Sequence, residues 1–263
     1  MTENAAALRA YTYDNNGNIL TDTRPGEVFA FTYNARNRPV AVTRNAVSYG
    51  AYGYNALEQL VSRSTSAAGG PPGVIHYIYD LEGHVIAEAY GSSGLSYREY
   101  VWLASNNNEP VDLPLANIND ADTASPVLSM VHADHLGRPI RMTQANRAAN
   151  WQAAYTPFGE AYAISGTRKL DLRFPGQFFL IETGLNYNWH RHYDPVTGRY
   201  TQPDPLRFVD GPSVYAYAGS SPFMRVDREG RFAFLIPAIP LVVEATSAAL
   251  GFAIGALAGA GIN

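Results

Sequence analysis

The hydrophobic residues of this chain fall in short runs, many of them β-branched or aromatic, and Gly, Pro, Asp or Asn separates one run from the next. Runs of that kind between turn formers are strands, so the pattern predicts tight hairpins and not a helical domain. In the first hundred residues the pattern repeats. Tyr13-Asp14-Asn15-Asn16-Gly17, Tyr33-Asn34-Ala35-Arg36-Asn37, Tyr54-Asn55-Ala56-Leu57-Glu58 and Tyr79-Asp80-Leu81-Glu82-Gly83 align, with their tyrosines 20, 21 and 25 positions apart. Asp or Asn in second place can bond to its own turn backbone, and Gly or Asn in fifth place accepts a positive φ; Glu58 departs from that rule. Each unit is therefore a β-turn joining two strands. Such a unit cannot bury its aromatic face alone and has to stack on the next. The tyrosines read as packing groups of a ribbon, with a sugar-binding stripe as the alternative.

Residues 97–103 continue as a strand. The segment 104–126, rich in Asn, Asp, Pro and Ala, has the composition of a linker, but its apolar pieces at 110–116 and 127–131 predict two further strands in a continuous sheet. Polar turns at 105–108 and 117–125 would join them. Residues 173–230 hold the densest turn chemistry, with Pro175-Gly176, Thr183-Gly184, Asp194-Pro195, Asp204-Pro205 and Gly211-Pro212 around aromatic runs at 185–193 and 214–217. A fold would be locked here. Beyond Arg231 the character changes. Residues 232–262 carry one charge, Glu244, and Gly251, Gly255 and Gly259 would share one helix face. The uncharged run 245–262 is 18 residues long, marginal for a bilayer span. Membrane insertion and a helix buried within the protein both stay open.

Composition narrows the classes. The 263 residues are 46% hydrophobic with 18 tyrosines, 23 glycines and only 16% charged side chains, which suits an aromatic-rich β protein with many turns. A net charge of -4 leaves no electrostatic footprint for nucleic acid. With no cysteine there is no disulfide, thiolate metal site or cysteine nucleophile. The first residues show no basic segment followed by an apolar run, so export would use a route other than a visible signal peptide, or a longer parent chain.

The segments GQFFLIETGLNYNWHRHYDPVTGRYTQPDPL and VYAYAGSSPFMRVDREG resemble the RHS-repeat-associated core, the closing module of the RHS/YD-repeat proteins. Upstream, VHADHLG and PFGE look like the opening of that core, and the tyrosine units resemble YD repeats. The resemblance implies YD repeats at 1–129, the core at 130–230 and, at 231–263, a remnant or beginning of the variable effector region. It also implies a mainly β fold in which a hairpin ribbon spirals into a shell closed by the core, followed here by a hydrophobic C-terminal helix. The partners implied are the chain's own C-terminal segment as cargo, an immunity protein and components of a secretion apparatus such as type VI. The location implied is outside the cell or at its surface. The 32 residues after Arg231 are too few for an enzyme with its own core.

Self-processing members of this family cut themselves with two aspartates. The matching residues are Asp204, in Gln202-Pro203-Asp204-Pro205, and Asp227, with cleavage after Arg231 and before Phe232. Two carboxyls a few ångströms apart cannot both ionise freely, so one can act as acid while the other activates water. Gly230 would let the backbone approach them closely. Two arginines depart from the family pattern. Arg228 stands where proline follows the aspartate and would lower the pKa of Asp227; Arg231 stands where leucine precedes the cut. The competing reading is a noncatalytic scaffold or a carbohydrate- or surface-binding module, with the aspartates capping turns or paired with Arg199, Arg207 or Arg228. His132 with His135, and His190 with His192, have a spacing that suggests metal. Turn or packing roles fit them better, since no third ligand is in view, and no metal or other cofactor is expected. On a strand, His190 and His192 would share a face.

Overall fold

The protein, as a computed structural model, is described for residues 9–104, 111–209 and 211–235. The expected turn at 105–108 and the hydrophobic helix beyond residue 235 lie outside these. One antiparallel sheet of fourteen strands dominates. Its strands are β1 (Ala10–Tyr13), β2 (Ile19–Arg24), β3 (Glu27–Tyr33), β4 (Pro39–Arg44), β5 (Val47–Tyr54), β6 (Leu60–Thr65) and β7 (Val74–Tyr79). It continues with β8 (Val85–Tyr90), β9 (Ser96–Trp102), β10 (Pro114–Asn119), β11 (Val127–Ala133), β12 (Pro139–Thr143), β13 (Ala149–Tyr155) and β14 (Ala161–Gly166). Every strand pairs with its neighbours in sequence, so the ribbon is a simple meander. The boundary at 129/130 falls inside β11, and the expected repeats and core share one sheet. A second sheet holds β15 (Phe178–Leu180), β16 (Leu185–Asn188), β17 (Arg191–Asp194) and β18 (Arg199–Tyr200); a third pairs β19 (Arg225–Val226) with β20 (Phe234–Leu235).

The repeat is visible as chemistry. Asp14 Oδ1 accepts the backbone N–H of residues 16 and 18, and Asn34, Asn55, Asp80 and Asp134 each do the same two and four positions on. Fifth-place residues take positive φ, including Glu58 at 64°, which keeps the turn geometry despite its Cβ. Register shifts fall just before Tyr13, Tyr33, Tyr54 and Tyr79. At the last three, a bulge turns the tyrosine back across the previous hairpin. The hydroxyls of Tyr33, Tyr54 and Tyr79 donate to the carbonyls of Ile19, Pro39 and Leu60, at 2.7, 2.8 and 2.7 Å. Trp102 Nε1 does the same to Val85. Burial raises all three tyrosine pKa values. These side chains pack the ribbon and staple each hairpin to the one before.

One face of the ribbon packs on the second sheet. Phe31, Tyr52, Leu60, Ile75, Tyr77 and Tyr100 form a single core with Leu172, Phe178, Leu180, Leu185 and Tyr187. The odd-to-even turns share one rim of the meander, and several reach residues 170–230. Tyr215 donates to Gly17 O, Trp189 to Leu57 O, and His135 Nε2 lies 3.1 Å from Phe223 O.

Three expectations shift. The turn at 117–125 starts later, because Asn117 and Asn119 are buried in β10, where Asn117 Nδ2 donates to Glu99 O and Asn119 Nδ2 to Asn117 Oδ1. The run 185–193 splits into β16 and β17 around a two-residue turn in which Trp189 has φ 46°. The aromatic run 214–217 makes only an isolated bridge, Ala216 to Arg199.

Candidate cleavage site

The second and third sheets bring Asp204 and Asp227 together. Asp204 follows β18 in a turn of its own: its N–H donates to Val214 O at 2.9 Å and its Oδ1 accepts from Leu206 N at 2.7 Å. Asp227 follows β19. Both side chains are buried, and both Oδ2 atoms meet Arg191 Nη2, at 2.8 Å from Asp204 and 2.9 Å from Asp227. Arg191 opens β17, and its guanidinium lies 3.6 Å from the centre of the Tyr200 ring. The Tyr200 hydroxyl donates to Asp227 Oδ2 at 2.8 Å. Asn188 Nδ2 donates to that hydroxyl at 2.8 Å and to Asp227 O at 2.9 Å. Burial, with Asp227 alongside, pushes the Tyr200 phenol well above its usual pKa, so it stays a donor.

The other oxygen of Asp227 faces the predicted cut. Oδ1 accepts the N–H of Arg231 at 2.9 Å and of Phe232 at 3.2 Å. Phe232 N is the nitrogen that would leave. Gly230 makes a close approach to the β16–β17 turn: its φ is 66°, and a Cβ would run into the Asn188 carbonyl. Arg191 Nε fixes the same segment by donating to Gly230 O at 2.6 Å. Asp204 lines a polar cleft between the first two repeat turns, with Asn15, Asn37, Gln202 and Arg207 on its walls.

The arginine expected beside Asp227 is a different one. Arg228 turns away and forms a two-bond pair with Asp112. Arg191 takes the place against the aspartates, and Arg199 and Arg207 are not what bridges them. Arg231 is half-buried, with Nη1 3.5 Å from His190 Nε2. Sequence reasoning passed over Arg191, Asn188 and Tyr200. The available signal was a lone arginine inside an aromatic run.

The histidines have other partners. His132 Nε2 lies 2.9 Å from Thr143 Oγ1. His190 sits in the β16–β17 turn and not on a strand, so the pair shares no face: His190 Nδ1 meets Glu58 and Arg38, while His192 lies against the rings of Tyr52 and Tyr187. Burial, with Arg38 and Arg231 nearby, lowers His190 to about 4, and burial lowers His192 to about 3. Among the described residues no three His, Asp or Glu side chains cluster as a metal site, and no helix is long and apolar enough to cross a membrane.

In sequence the chain is similar to proteins of the RHS-type polymorphic-toxin kind. The toxin protein Tse5 of Pseudomonas aeruginosa is 37% identical over 124 residues, 47% of this chain and 9% of Tse5. Double-stranded DNA deaminase toxin A of Burkholderia cenocepacia is 26% identical over 229 residues, 79% of this chain and 16% of that toxin. A crystal structure of TcdB2-TccC3 aligns over 84% of this chain and 13% of its own, with 16% identity and a TM-score of 0.43. The chain thus spans less than a fifth of the length of each. No family model matches it.

Proposed function

We propose that this chain is the closing end of an RHS-repeat toxin that releases its own C-terminal segment by one aspartyl cleavage between Arg231 and Phe232. The observation that carries the reading is the position of Phe232 N, 3.2 Å from Asp227 Oδ1, while Oδ2 of the same carboxylate shares Arg191 Nη2 with Asp204. Asp204, on the polar cleft, takes a proton from water as the water oxygen adds to the Arg231 carbonyl carbon. Asp227, acting in its protonated form, passes a proton to Phe232 N as the C–N bond breaks. The products are a carboxylate at Arg231 and a free amine at Phe232. Because nucleophile site and substrate belong to one chain, positioning supplies much of the rate and one turnover suffices. Arg191 holds both carboxylates and the Gly230 carbonyl in place.

Tse5 and the deaminase toxin are toxins by name. In this reading, residues 232–263 are cargo for delivery out of the cell, with an immunity protein and a secretion apparatus as partners and membrane insertion as one action of the tail. A second reading is favoured by the same Arg191 contacts: a cation bound to both aspartates would also make an inert clasp in a noncatalytic scaffold. Intact mass of the purified chain, beside Asp204→Asn and Asp227→Asn, separates the two. A wild-type species ending at Arg231, absent from both variants, supports cleavage. A full-length wild-type chain at pH 5 and at pH 7 leaves the clasp.

A further inference from the structure

A second, part-buried ion pair lies beside this site and takes no part in the chemistry just described. Arg228, the residue after Asp227, grips Asp112 through Nη2 to Oδ1 at 2.5 Å and through Nε to Oδ2. Asp112 comes from the connection between β9 and β10, on the rim that carries the repeat turns. Its side chain is 6% exposed, and Oδ1 also meets His84 Nε2 at 2.7 Å. His84 is fixed in turn by Asp80 Oδ2 at 3.0 Å and by stacking on Trp102 with ring centres 4.5 Å apart. Burial alone would raise the Asp112 pKa, but His84 and Arg228 hold it below its ordinary value, so the carboxylate is charged at neutral pH.

The backbone downstream of Arg228 is enclosed from other sides. A Cβ on Gly176 would run into the Arg228 carbonyl. His190 N donates to Glu229 O at 3.0 Å, and Arg191 Nε holds Gly230 O. Two parallel bonds from a guanidinium fix orientation as well as distance. A displacement of about 1 Å can cost an intramolecular reaction about a hundredfold in rate.

We infer that Asp112 is a positioning residue: through its two-bond grip on Arg228 it fixes residues 228–232 so that the Arg231–Phe232 bond lies against Asp227. The inference rests on the self-cleavage reading for its consequence, though the grip itself can be measured without it. The same pair turns the Arg228 charge away from the aspartates.

Self-cleavage after dilution from urea, followed by intact mass, is the first measurement. Asp112→Asn and Arg228→Met should each slow it roughly 10- to 100-fold. The double variant should be no slower than the slower single, because the two side chains act as one unit. Arg228→Lys keeps the charge but loses the fork, and should recover part of the rate. A wild-type rate in Asp112→Asn overturns the inference. The second measurement is hydrogen exchange over residues 225–235 in an Asp204→Asn background, which leaves Asp227 and both clamp residues in place. Adding Asp112→Asn should speed exchange there about tenfold or more and leave β3 to β8 unchanged. Equal protection with and without Asp112 overturns the inference whether or not the wild type cuts. An uncut wild type with protection lost in Asp112→Asn sinks the cleavage reading and supports the grip.

Discussion

Asp204 and Asp227 share a single nitrogen, Arg191 Nη2, although 23 positions separate them in the chain. Replacing that cation should be costly, because it leaves two buried carboxylates facing each other. Arg191→Met should destabilise the fold by about 3–5 kcal/mol at neutral pH. Urea unfolding at neutral pH, in an Asp204→Asn background as well as alone, checks this; Asp204→Asn should recover part of the loss.

The tyrosine ladder makes a smaller prediction. Tyr54→Phe removes one hydrogen bond to Pro39 O and keeps the ring, so it should cost about 1 kcal/mol. Tyr54→Ala also opens a cavity between two hairpins and should cost about 3–5 kcal/mol. Chemical denaturation midpoints distinguish these values.

His192 sets a pH dependence. Burial lowers its folded pKa to about 3, while the unfolded chain keeps the ordinary value near 6.5. Between those values the unfolded state binds the extra proton, so stability falls as pH falls through this window. The slope from this group is roughly 1.4 kcal/mol per pH unit. Glu58 acts in the same direction below its ordinary range: burial raises its pKa, but the bond from Arg36 and the charge of Arg38 outweigh this and hold it at about 2. Stability measured from pH 7 to pH 4 should fall in the wild type and fall less steeply in His192→Phe.

Gly230→Ala tests the close approach. The left-handed backbone alone should cost about 1–2 kcal/mol, and the overlap with the Asn188 carbonyl adds to it. If the cleavage reading holds, intact mass should also show less product from this variant.

The repeat units and the strand-rich fold were legible because their determinants are local. Asp14, Asn34, Asn55 and Asp80 bond to backbone two and four residues on, and that spacing is written in the sequence. The unit at 156–159 was harder to see, since Thr156 replaces Asp or Asn, yet its Oγ1 accepts from Glu160 N. Asp204 and Asp227 were found through the family pattern. Their arginine was not, because the partner of a buried guanidinium depends on which strand ends meet. Arg228 adjoins Asp227 in sequence but pairs with Asp112, 116 positions away. Glu58 looked like a misfit in its turn; its contacts with Arg36, Arg38 and His190 give it a reason to be there.

The meander also sets an order of events during synthesis. Each strand of the ribbon pairs with its immediate neighbours, so hairpins can zip up one after another as the chain emerges, with little loop-closure entropy to overcome. The closing contacts are of the opposite kind: Tyr215 reaches Gly17 across 198 positions, and Arg228 reaches Asp112 across 116. Arg191, Asp204 and Asp227 all follow the ribbon in the chain, and their meeting requires that the ribbon already be folded beneath them. The aspartate pair is therefore a late product of folding, and a chain halted before residue 227 has no means of assembling it.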